Sequence, residues 1–138
     1  MKEQITAEQL KRRIEELQVS SNALAGVLAR VRDEGHTLAD RTGTDVNWRW
    51  VEQALANIRT YQNEFSKALA KRDPVAISYA AERFVSIRKY FEDTPLEWSK
   101  LEKDLQYHAS MTAQKAGKVA FAIDPFDPVS LAEIQRSL

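Results

Sequence analysis

Two histidines, His36 and His108, and no cysteine make up the short stock of readily ligating side chains in this 138-residue chain. Without a thiol, disulfides, thiolate zinc sites and cysteine nucleophiles are excluded. A serine triad needs a histidine beside the hydroxyl and an acid to orient it. His36 lies in a polar stretch and reads as solvated, whereas His108 follows Asp104 by one helical turn, so that carboxylate can hold its ring. Di-iron bundles use two Glu-x-x-His pairs and two further glutamates. Here Leu105 stands three before His108, and Asp104 with His108 gives two ligands at most. Gly117-Lys118 is followed by Val119 instead of Ser or Thr, and no glycine stands five residues earlier, so a phosphate loop is absent. The expectation is a chain with no catalytic residues, no metal and no cofactor, and hence not an enzyme.

Binding chemistry is better represented. From Arg49 to Phe91 the cations Arg49, Arg59, Lys67, Lys71, Arg72, Arg83, Arg88 and Lys89 face only Glu52, Glu64, Asp73 and Glu82. Tyrosines 61, 79 and 90 lie among them, and basic residues interleaved with aromatics can grip phosphates and stack bases. Against nucleic acid stands the whole-chain balance of 20 Lys+Arg and 20 Asp+Glu, a net charge of zero. Contact with protein is favoured, because Trp50, Tyr79, Tyr90 and the tail residues Phe126, Val129, Leu131 and Ile134 exceed what one small bundle readily covers.

The elements that must position these residues are helical. Four glycines and four prolines are too few for a turn-rich β protein, and 43% apolar residues suffice for one core. Thr6 and Gln9 form a capping box, flanked by Ile5 and Leu10 at staple spacing. Leu10, Ile14, Leu17, Ser21, Leu24, Leu28 and Val31 then alternate steps of four and three, the coiled-coil period. Gly35 is expected to end this helix, with residues 35–44 as the loop. The second seam is Trp48, Val51, Leu55, Ile58, Gln62, Phe65 and Leu69, beside a second stripe of Trp50, Ala54, Asn57, Tyr61 and Ala68. That helix therefore touches neighbours on two sides. An antiparallel pairing centred on the loop brings Leu17 opposite Gln62 and Ser21 opposite Ile58, so the two polar seam residues fall one layer apart, close enough for Gln62 to find a hydrogen-bond partner and set the register.

Lys71-Arg72-Asp73-Pro74 reads as a helix end, an Asp cap and a proline at the first position of the next helix. Ile77, Ala80, Ala81, Phe84, Ile87 and Phe91 share one face of that third helix. Thr94-Pro95-Leu96-Glu97 opens a fourth, whose seam is Trp98, Leu101, Leu105, His108 and Thr112; it either stops at Gly117 or runs on towards Ile123. Asp124-Pro125 ends it, and Asp127-Pro128 starts a short last helix.

The fold class is thus all-α, an antiparallel bundle of four principal helices (about 6–34, 45–72, 74–92 and 95–116) plus a short C-terminal one. Residues 1–123 form a single bundle domain, and 124–138 a proline-punctuated docking segment that packs in cis or on a second copy. The favoured function is a non-enzymatic assembly or adaptor protein acting through apolar helix faces, with an unidentified protein partner. It is expected to form a homo-oligomer, a dimer first, through the second helix or the C-terminal segment. The alternative is a small helical subunit of a nucleoprotein complex using the Arg49–Lys89 region. No run reaches the ~18 apolar residues of a membrane span, and Ala23–Val31, broken by Arg30 and preceded by Glu15 and Glu16, is no signal peptide. No membrane partner is expected, and a cytoplasmic location is.

Overall fold

The computed structural model describes residues 6–42, 49–88, 99–122 and 128–137, with side chains described for 6–33, 51–87, 103–122 and 132–137. Among the described residues five α-helices follow in order: α1 (Ala7–Thr42), α2 (Arg49–Lys71), α3 (Pro74–Val85), α4 (Ser99–Ala120) and α5 (Pro128–Ser137). A single 3-10 turn, Ser86–Arg88, prolongs α3. No strand occurs among the described residues. The fold is an all-α antiparallel bundle.

Local chemistry sets the helix starts. The Thr6 amide donates to Gln9 Oε1 at 3.0 Å, and the Gln9 amide donates back to Thr6 Oγ1 at 3.2 Å. Asp73 caps α3 in an extended conformation, accepting from the Val75 amide at 3.0 Å and the Ala76 amide at 3.5 Å, with Pro74 next in the chain. Arg72, just before it, takes a left-handed φ of 53° so that the chain can reverse within two residues. The Ile5 staple and the Thr94–Glu97 box lie outside the described residues.

The expected loop at residues 35–44 is corrected by the structure. α1 continues through Gly35 to Thr42, because one mid-helix glycine costs only about 1 kcal/mol. Leu38 also keeps the seam spacing beyond Val31, so the periodic signal does not end at Gly35. α3 likewise gives way to a 3-10 turn at Ser86, short of the expected end near residue 92. Gly117 does not stop α4, which runs to Ala120.

Contacts between four pairs of neighbouring helices close the square. Gln62 reaches Ser21 and Asn22 between α2 and α1. Glu64 pairs with Arg83 at 3.3 Å, and the Tyr61 ring meets Phe84 edge-on at 5.7 Å, joining α2 to α3. Ser78 Oγ donates to the Ala120 carbonyl at 2.6 Å, tying the start of α3 to the end of α4. Arg13 donates to the Lys118 carbonyl and Lys115 to Glu16 Oε2, returning α4 to α1. Inside this ring every expected α1 seam residue from Leu10 to Val31 is buried, as are Val51, Leu55, Ile58, Phe65, Ile77, Phe84 and Leu105. α2 is buried on both stripes, through Ala54 and Ala68 as well as Val51 and Ile58.

The α4 seam differs from expectation by one residue. Leu105, Ala109, Thr112, Ala116 and Val119 face the core, while His108 is half-buried beside it. Alanines let α1 and α4 approach closely, since interaxial distance depends on the side chains between helices. α5 bridges α1 and α3, which stand diagonally across the bundle, and buries Ile134 to 5% exposure.

Candidate interaction surfaces

The polar seam residues build one site. Ser21 is buried on α1, donating from Oγ to the Gln18 carbonyl and accepting from Gln62 Nε2, both at 3.1 Å. The same Nε2 donates to Asn22 Oδ1 at 2.8 Å. Gln62 finds a polar partner as expected, but the register differs: it meets Ser21 directly, one helical turn further along than loop-centred pairing gives. Above this layer lies an open groove of about 530 Å³, walled by Glu15, Gln18 and Asn22 on one side and Gln62, Asn63 and Ser66 on the other, with Phe65 and Phe84 beneath. One carboxylate and several amides make it a surface for hydrogen bonds, without the paired titratable groups that acid–base chemistry needs.

Of the expected contact residues, Tyr79 is 65% exposed on α3 and Ile134 is in the core. Trp50, Val129 and Leu131 lie on α2 and α5 with side chains outside the described set, and Tyr90 and Phe126 lie outside the described residues. Among the cations, Arg59, Lys67 and Lys71 are exposed on α2. Arg83 is held by Glu64 and lies 6.0 Å from the centre of the Tyr61 ring. Arg49 and Arg88 are described by backbone alone, and Lys89 lies outside the described residues.

Two exposed aromatics escaped the sequence reading. Tyr107 is 60% exposed and Phe121 71%. The signal was present as a second line on α4, since Tyr107, Gln114 and Phe121 are seven residues apart. The His108 ring packs edge-on against Tyr107 at 5.2 Å, and among the described residues no hydrogen bond joins it to Asp104. Nor do three His, Asp or Glu side chains gather there as a metal set. Among the described residues Glu16 is the one perturbed acid: the hydrogen bond from Lys115 holds its carboxyl below the usual glutamate range, with that charge and those of Lys118 and Arg12 acting in the same direction.

No described helix is long and apolar enough to cross a membrane. Comparison with protein-family models, with curated proteins and with solved structures finds no match to this chain.

Proposed function

We propose that this chain is a non-enzymatic assembly or adaptor protein, working in the cytoplasm through protein–protein contacts of its helix faces. The observation that supports it is the exposure of Tyr79, Tyr107 and Phe121 on a bundle whose core is closed without them. A single exposed ring is unremarkable. Tyr107 on α4 and Phe121 just past its end continue one helical line, Tyr79 follows the Ser78 that meets Ala120, and such exposed rings are what a partner would remove from water. Cross-linking of the full chain in its host cell, read by mass spectrometry, should attach peptides of a partner or of a second copy to α3 and α4. The variant Tyr79→Ser/Tyr107→Ser/Phe121→Ser should lose them, and unchanged cross-links would overturn the reading.

A second reading, a small subunit of a nucleoprotein complex, draws on Arg59, Lys67 and Lys71, exposed along α2 with Arg49 on the same helix. A salt-dependent mobility shift of single-stranded RNA or DNA, lost on replacing these three exposed cations by alanine, would favour it.

A further inference from the structure

We infer that the outward face of α4 pairs with the same face of a second copy of this chain, antiparallel about a two-fold axis at Gln114. This rests on the helix-face reading above and names its partner. Ser110 and Gly117 fall between Tyr107, Gln114 and Phe121, so steps of three and four trace a second heptad line. That line runs along the side of α4 turned away from Leu105, Ala109, Thr112 and Ala116, which the bundle's own core uses.

The line is complementary to itself. With Gln114 set on Gln114 of an antiparallel copy, Tyr107 falls opposite Phe121 of the second copy, and the same pair recurs at the other end. A primary amide both donates and accepts, so the two Gln114 side chains can exchange hydrogen bonds across the axis. Gly117 falls opposite Met111, a flexible thioether suited to fill the gap beside an aromatic ring. Lys118 meets Ser110, so the register brings no two cations together.

Gly117 supports this independently. A Cβ added there would meet only the Phe121 ring, at 3.9 Å, which is ordinary contact. Packing within the chain therefore does not require the poorest non-proline helix former at this position. Close approach by a second helix would use the missing Cβ there. In area, four rings exposed to this degree supply roughly 500 Å², about half of the ~1,000 Å² that a specific interface must clear, so the pairing also requires burial of the Ser110, Met111, Gln114 and Lys118 side chains between them. Such an interface suits a dimer in the micromolar range.

The chain has no cysteine, so a single Gln114→Cys substitution reports the axis directly. Helices paired through this line bring the two thiols within disulfide reach. Gln135→Cys, exposed on α5, serves as the control. Sedimentation equilibrium at about 100 µM should show a dimer, and mild oxidation should cross-link the first variant and not the second. Tyr107→Ala/Phe121→Ala should weaken association about tenfold or more with unchanged helix content, since both rings are exposed in the single chain. A dimer that survives this double substitution, or that cross-links equally at position 135, overturns the seam and leaves the helix-face reading standing. A monomer that still cross-links to a host protein through these rings overturns self-pairing alone. A monomer that does neither overturns both.

Discussion

Gln62 on α2 donates to Ser21 on α1 at 3.1 Å, across forty-one residues of sequence, and fixes how these two helices slide along one another. Shifting the pair by one turn would place each polar group against an apolar layer, Ile58 or Leu17 among them. Because the groove admits water, the bond's net contribution is modest. Gln62→Ala should lower stability by about 1 kcal/mol, and a double-mutant cycle with Ser21→Ala should show coupling of roughly 0.5–1 kcal/mol. Additive denaturation energies would mean that the layer sets no register.

Thr112 presents the opposite case. Its side chain is fully buried on α4, and Oγ1 has no hydrogen-bond partner. Valine has nearly the same shape and the same β-branching without the stranded hydroxyl. Thr112→Val should therefore raise the urea midpoint, by about 1–2 kcal/mol in unfolding free energy, at an unchanged denaturant slope. A loss of stability would reveal a buried water serving the hydroxyl.

The Glu16–Lys115 pair gives the packing of α1 on α4 a pH dependence. The carboxyl is held below its ordinary range when folded, so the unfolded chain binds the proton more tightly. The pair's contribution is present above the ordinary glutamate range and is lost as pH falls through the folded value. Both groups are partly exposed, which with salt screening keeps the effect below about 1 kcal/mol. Glu16→Gln should therefore destabilise slightly at neutral pH, and the difference from the parent should vanish in acid and shrink in high salt. A difference that grew towards acid would contradict the assignment.

Much of this architecture was legible because its signals are local. The Thr6–Gln9 box, the Asp73 cap before Pro74 and the Leu/Ile/Val seam of α1 each lie in a single window, and each appears as expected. The burial of Ile134 agrees with a tail too apolar to stay free. What was harder to read depends on balances between windows. Gly35 carries the signature of a helix end, yet the cost of one glycine is outweighed when Leu38 and Ala39 extend the helix beyond it. The α4 seam holds at Leu105 and Thr112 but takes His108 where Ala109 faces the core, because Ala109 and Ala116 give a weak hydrophobic pattern beside Tyr107 and His108. The outward line of the same helix was hidden for a related reason. Its large residues are spaced by Ser110, Gln114 and Gly117, so apolarity alone does not trace it.

Two glycines on exposed or half-exposed helix surfaces give a final test that separates folding from assembly. Gly26 sits in the middle of α1, where an added Cβ would meet nothing within 4 Å; at Gly117 it would meet only the Phe121 ring. Alanine at either site should raise the stability of the single chain by about 0.5–1 kcal/mol, because it restricts the unfolded backbone without creating a clash. Dilute samples, unfolded by urea below the association range, isolate that effect. At higher concentration the two variants should part company. Gly26→Ala should self-associate like the parent, since it lies away from the α4 line. Gly117→Ala should associate more weakly although its fold is more stable, because the new methyl group holds the second helix off and leaves Met111 without its gap. Stability and affinity moving in opposite directions is a result that general destabilisation cannot produce. If Gly117→Ala associates as tightly as Gly26→Ala, the glycine is not at a helix contact and the α4 pairing loses its strongest local support.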